Sequence, residues 1–204
     1  MNLANQVTLG RLGLSAVYFV LLAVAAAKGQ GAPPLLLDAA FGLFIIAAVT
    51  DAVDGYVARR YGMVTSFGRV ADPFVDKVLV CGSLVFLCAV EGPQRLLPAW
   101  IVVCVLAREF AVHGIRSQAE AQGRDFGATW WGKHKMVLQC FAVGGLLLDW
   151  GRLHDAAWLE TLNRVLVWVM LVSTLASGAA YAWQARSVLR MRSDGPPPEP
   201  GARS

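Results

Sequence analysis

Six apolar stretches divide this chain, each bounded by a short polar or turn-forming segment. They fall at about 8–27, 36–60, 70–90, 97–119, 131–149 and 157–185. A helix that crosses a bilayer needs about 20 predominantly apolar residues, and each stretch comes close to that length. Gly- and Pro-rich runs mark two of the turns, Lys28 to Pro34 and Glu91 to Arg95. A polar loop covers Ala121 to Thr129, and Gly151 to Asp155 makes the last turn. Before the first stretch, Asn5, Thr8 and Arg11 recur at i, i+3, i+6, one polar stripe on a helix. The pattern predicts an all-α integral membrane protein, with six transmembrane helices in one bundle and a short N-terminal interfacial segment. The membrane domain is expected over residues 1–192. Residues 193–204 are rich in Pro, Gly and Ser and read as a disordered tail.

Composition agrees with the pattern. The chain is 56% hydrophobic and 16% charged, against roughly 25% charged in a soluble globular domain. An ordinary soluble domain is thereby excluded. The first stretch ends in small residues, as a cleaved signal does. Arg11 is the one basic residue before its apolar run Leu12 to Ala27, however, and further spans follow, so it reads as a retained helix. The four cysteines, Cys81, Cys88, Cys104 and Cys140, lie in apolar runs without a CxxC pair and read as small buried hydrophobes.

The net charge of +4 has a direction. Of 18 Lys and Arg, only Lys28, Arg95, Arg152 and Arg164 fall on one side of this topology. The positive-inside rule then places both termini toward the cytoplasm. Trp100, Trp150 and Trp158 would mark the far interface, and Trp130, Trp131 and Trp183 the near one. No long basic run or face stands outside the membrane, so nucleic acid is not an expected partner.

Four aspartates change the picture from a bundle to a site. Asp51 and Asp54 are at i, i+3 near the end of the second segment; Asp72 and Asp76 are at i, i+4 near the start of the third. Each pair shares one helical face. A short loop between antiparallel helices would bring all four to similar depth. Four adjacent anions would protonate or separate unless a cation held them. Hard oxygen ligands, with no Cys or His cluster nearby, point to magnesium or manganese. Ion pairing with Arg59, Arg69 or Lys77 is the purely structural alternative, but four acids exceed what packing needs. Gly55 and Ala58 lie within a turn of the acids and permit close approach of a ligand or of another helix. Arg59 is placed to meet a phosphate or an acid. Thr65, in the loop, is either a nucleotide contact or solvated.

Read together, residues 51–76 match D-x2-D-G-x2-A-R-x8-G-x3-D-x3-D at every fixed position. The chain thereby resembles the CDP-alcohol phosphatidyltransferases. The resemblance implies a CDP-linked donor such as CDP-diacylglycerol, attack by an acceptor hydroxyl on the phosphorus next to the lipid, and departure of CMP. It implies Asp51, Asp54 and Asp72 as main ligands of Mg2+ or Mn2+, with two ions expected. Asp76 would be the general base, with a metal contact of its own. Gly55, Ala58 and Arg59 would contact the cytidine diphosphate, with Thr65, Asn5 and Thr8 as further contacts. Members often carry Asn-x-x-Thr-x-x-Arg near the start with Pro before the Asn; here Ala4 stands in that place. A homodimer in the inner (cytoplasmic) membrane, with its active site facing the cytoplasm, is implied as well.

The second half bears on the acceptor. Arg108-Glu109 interrupts an apolar helix, Arg116 follows two turns later, and Lys133 and Lys135 flank His134. Arg108, Arg116, Lys133 and Lys135 would make a cationic pocket for an acceptor bearing a phosphate. The same residues also suit ordinary cytoplasmic flanks, and Arg108 a pair with Glu109 or the acidic cluster. The run is similar to that of bacterial family members acting on sn-glycerol 3-phosphate, with Met136 in place of a Thr, and with His113 and His134 where apolar residues are expected. The expected product is phosphatidylglycerophosphate. Phosphatidylglycerol or inositol phosphate as acceptor is the nearest alternative. A divalent-cation carrier is the alternative from another class, although carriers usually repeat their site in both halves. The acids of the cluster are confined to one helix pair.

Overall fold

A computed structural model describes the backbone of residues 3–61, 66–121, 130–151 and 156–190, and side chains over 10–29, 31–50, 77–118, 134–151 and 156–183. The described residues form six α-helices and no strand: α1 (Leu3–Lys28), α2 (Pro34–Tyr61), α3 (Ser66–Ala89), α4 (Ala99–Ala121), α5 (Trp130–Gly151) and α6 (Ala157–Arg190). These match the six apolar stretches. Two ends differ. The expected interfacial lead-in is not a separate segment, because α1 runs unbroken from Leu3. Nothing between Leu3 and Arg11 breaks a helix strongly enough to start a new one. The last helix continues to Arg190, five residues past its apolar stretch.

Turn chemistry sets the other boundaries. Pro34 opens α2, where its missing N–H has no intrahelical partner to lose. Gly92 adopts φ +96, a left-handed value open to glycine, and lets the chain reverse between α3 and α4 through the 3-10 turn Pro93–Arg95. The tail expected at 193–204 and the loop at 122–129 lie outside the described residues.

The helices pack as a closed ring, in the order α1, α2, α5, α6, α4, α3 and back to α1, with α3 also touching α5 across the middle. Every helix sends large apolar side chains inward. Tyr18, Phe44, Leu84, Ile101, Leu146 and Met170, one from each helix, are fully buried. The outward faces are apolar too: Val20, Ile46, Val85, Phe110, Phe141 and Val172 all point away from the bundle. A soluble monomer does not leave apolar surface of this extent around its whole girth. Gly10–Lys28 and Ala157–Trp183 are long and apolar enough to cross a membrane, and Pro34–Thr50 and Lys77–Ala89 are shorter apolar stretches. The fold is an all-α membrane bundle. Lipid removes the hydrophobic drive between helices, so close packing and internal polar contacts hold them together. One such contact joins α1 to α3. The Ser83 hydroxyl donates to the Leu79 carbonyl at 2.6 Å, so the Tyr18 hydroxyl is the donor to Ser83 Oγ at 2.8 Å.

Candidate functional site

The aspartates sit at one end of the ring. Asp51 is ten residues before the end of α2, and Asp76 ten residues after the start of α3. At 1.5 Å per residue, each lies about 15 Å along its helix from the connecting segment. Asp54 and Asp72 lie about 10 Å and 9 Å from it by the same rise. The helical register therefore matches them in depth as two pairs, Asp51 with Asp76 and Asp54 with Asp72. Their side chains, and those of Gly55, Ala58, Arg59, Asn5 and Thr8, lie outside the described side chains; Thr65 lies outside the described residues altogether. Four carboxylates with no soft ligand among them are, by their chemistry, a donor set that fits a hard divalent cation.

Helix α1 packs on both α2 and α3. It brings Arg11 to the same end, about 12 Å along from its first residue. Arg11 is buried, only 6% exposed. An interfacial arginine would be open, so this side chain belongs to the interior beside the two acid-bearing helices. The i, i+3, i+6 stripe pointed to it.

A second polar cluster lies between α4, α5 and α6. Glu109 is buried on α4 and accepts a hydrogen bond from Lys135 Nζ of α5. It also accepts one from Arg108 Nη1 at 3.2 Å. Arg108 Nη2 donates to Ser177 Oγ on α6 at 2.9 Å. The guanidinium carbon stands 5.6 Å from the centroid of the Tyr181 ring, within reach of a cation–π attraction. Two cations share one carboxylate here, so the cluster keeps one net positive charge. Helices α3 and α5 touch across the middle of the ring, so the cluster stands on the inner side of the ring that carries the aspartates.

Of the four residues expected to bind the acceptor phosphate, the structure brings Arg108 and Lys135 together through Glu109. Arg116 lies two turns further along α4, half-buried. Lys133 lies outside the described side chains. His113 and His134 are exposed. Ser177 and Tyr181 of α6 complete the cluster, and no sequence motif marks them. The signal that could have found them is a periodicity: Thr174, Ser177, Gly178 and Tyr181 recur at i, i+3, i+4, i+7, a small and polar stripe on an otherwise apolar helix.

At the far end, Arg95 Nη2 lies 3.5 Å from a carboxylate oxygen of buried Asp149, and Arg164 pairs with Glu160 at 3.0 Å. Trp100 and Trp158 open α4 and α6 at that end, and Trp150 closes α5 there.

The sequence profile described as CDP-alcohol phosphatidyltransferase matches residues 1–176. The chain is 35% identical over 196 residues to the CDP-diacylglycerol--glycerol-3-phosphate 3-phosphatidyltransferase of Bacillus subtilis, covering 90% of this chain and 96% of that protein. It is 29% identical over 180 residues to the protein of the same name from Rickettsia bellii, covering 88% and 93%. A probable phosphatidylglycerophosphate synthase of Mycobacterium tuberculosis is 37% identical over 157 residues, covering 76% and 71%. With its full aspartate signature, its all-α membrane bundle and these matches along nearly its whole length, the chain belongs to the CDP-alcohol phosphatidyltransferase family.

Proposed function

We propose that this chain transfers a phosphatidyl group from CDP-diacylglycerol to sn-glycerol 3-phosphate, giving phosphatidylglycerophosphate and CMP. The observation that carries the chemistry is the set of four aspartates paired in depth on α2 and α3, Asp51 with Asp76 and Asp54 with Asp72. The names of the relatives support the acceptor, and the net positive cluster of Arg108, Glu109 and Lys135 fits a phosphorylated one.

Asp51, Asp54 and Asp72 would hold two divalent cations, with Asp76 within reach of one. With Mg2+ or Mn2+ bound, such a site neutralises the diphosphate and stabilises the leaving oxygen. Asp76 takes the proton from the acceptor hydroxyl. That oxygen bonds to the phosphorus next to the lipid; the bond from this phosphorus to the bridging oxygen breaks, and CMP carries the electron pair away. Gly55 and Ala58 leave room for the cytidine diphosphate, and Arg59, Thr65, Asn5 and Thr8 contact it. Arg108 and Lys135 orient the acceptor through its phosphate, with Arg116 and Lys133 nearer the mouth.

The same reading gives a homodimer in the cytoplasmic membrane with the aspartates facing the cytoplasm. Among the described residues, Lys28, Arg95 and Arg164 are the few basic ones at the opposite end, which supports that orientation.

Purified protein with CDP-diacylglycerol, sn-glycerol 3-phosphate and Mg2+ is expected to release CMP. Chelation is expected to stop release, and added Mg2+ or Mn2+ to restore it. Release that continues unchanged in excess chelator would remove the metal from this account.

A further inference from the structure

We infer that α6 is the seat of the acceptor-binding arginine: Ser177, Gly178 and Tyr181 are positioning residues that hold the Arg108 guanidinium for the acceptor's phosphate. The inference rests on the proposed role of Arg108 and goes beyond it, because it gives the sixth helix a part in substrate selection.

The Arg108 side chain is only 8% exposed, so its charge is met inside the bundle. Helix α6 meets it in three ways. Ser177 sends its own hydrogen to the Thr174 carbonyl at 2.9 Å. Its oxygen is therefore left as an acceptor, and Arg108 Nη2 donates to it at 2.9 Å. One turn on, the Tyr181 ring faces the guanidinium. Between them, a Cβ on Gly178 would stand 3.0 Å from Arg108 Cγ, so the missing side chain is what admits the arginine stem.

These contacts fix the guanidinium without neutralising it. A hydroxyl and an aromatic ring carry no net charge, whereas a second carboxylate would cancel the cation. Glu109 holds Nη1 from the α4 side but divides its charge with Lys135. Arg108 Nε is buried and has no partner among the described residues. The outcome is a planar fork, fixed between two helices, with positive charge and N–H donors remaining. Such a fork loses less freedom on meeting a phosphate than a mobile one does.

The test reads CMP release by the full chain in detergent, varying sn-glycerol 3-phosphate at saturating CDP-diacylglycerol. Ser177→Ala and Gly178→Ala are each expected to raise KM for glycerol 3-phosphate about tenfold. KM for CDP-diacylglycerol and kcat should stay within about threefold of the parent. Ser177→Thr keeps the hydroxyl and should restore the parent KM. In an Arg108→Ala background, neither α6 change should raise KM further, because both act through that side chain. Additive effects in that background, or a matching rise in KM for both substrates, would overturn the proposal. Should Gly178→Ala fail to fold, Ser177→Ala decides, since it removes a single oxygen. If Arg108→Ala itself leaves KM for glycerol 3-phosphate at the parent value, the acceptor reading has failed. If Arg108→Ala raises it and the α6 variants do not, only the seat is lost.

Discussion

Asp76→Asn is expected to lower CMP release about a thousandfold, within the range that a general base contributes. The amide has the same shape as the carboxylate but does not take up a proton. The acceptor hydroxyl must then attack with its proton still in place. Asp76 lies in α3 at the same depth as Asp51 in α2, so the substitution changes one acid of the cluster and leaves the helices intact. Folded protein, checked by its thermal transition in detergent, should be recovered in parent amounts. Initial rates at saturating acceptor give the comparison. A rate within tenfold of the parent would take the base assignment away from Asp76.

Glu109→Ala is expected to produce the largest loss of stability. Glu109 is 7% exposed and stands between buried Lys135 and the Arg108 side chain, itself 8% exposed. Its removal leaves two cations close together in a water-poor interior with no anion between them. Breaking a buried ion pair by removing one partner costs roughly 3–5 kcal/mol. For a chain of this size that corresponds to a fall in Tm of about 10 °C. Glu109→Gln keeps the shape and one acceptor oxygen, so an intermediate fall is expected. A thermal scan in one detergent, with all three proteins side by side, makes the comparison. A Tm for Glu109→Ala within about two degrees of the parent would show that water or lipid headgroups already screen these charges.

Much of this molecule was legible in the sequence, for identifiable reasons. Hydrophobic length located six helices because a bilayer imposes one length on every span. Gly and Pro marked the turns at Gly29–Gly31 and Pro93–Arg95. The aspartate signature was legible because its spacing is local: two pairs on consecutive helices need only a short loop to meet. The pairing of Arg108 with Glu109 was one of the alternatives that neighbouring charges allow, and the structure contains it. The contact from Arg108 to Ser177 spans 69 residues. It depends on the rotation of α6 about its axis and on the ring order that sets α4 beside α6. Neither is fixed by hydropathy when both faces of a helix are apolar. Arg11 illustrates the same limit. The stripe of Asn5, Thr8 and Arg11 marks a polar face, and its burial at Arg11, on a helix that packs on α2 and α3, is decided by packing.

The acceptor is the claim most exposed to direct measurement. Purified protein with CDP-diacylglycerol and Mg2+ would be offered sn-glycerol 3-phosphate, inositol phosphate, serine and phosphatidylglycerol in separate reactions, with CMP release followed in each. Release is expected with glycerol 3-phosphate and none above background with the other three. Release with inositol phosphate or phosphatidylglycerol instead would keep the aspartate chemistry and contradict glycerol 3-phosphate as the acceptor, and release with serine would also contradict the phosphate-binding role given to Arg108 and Lys135.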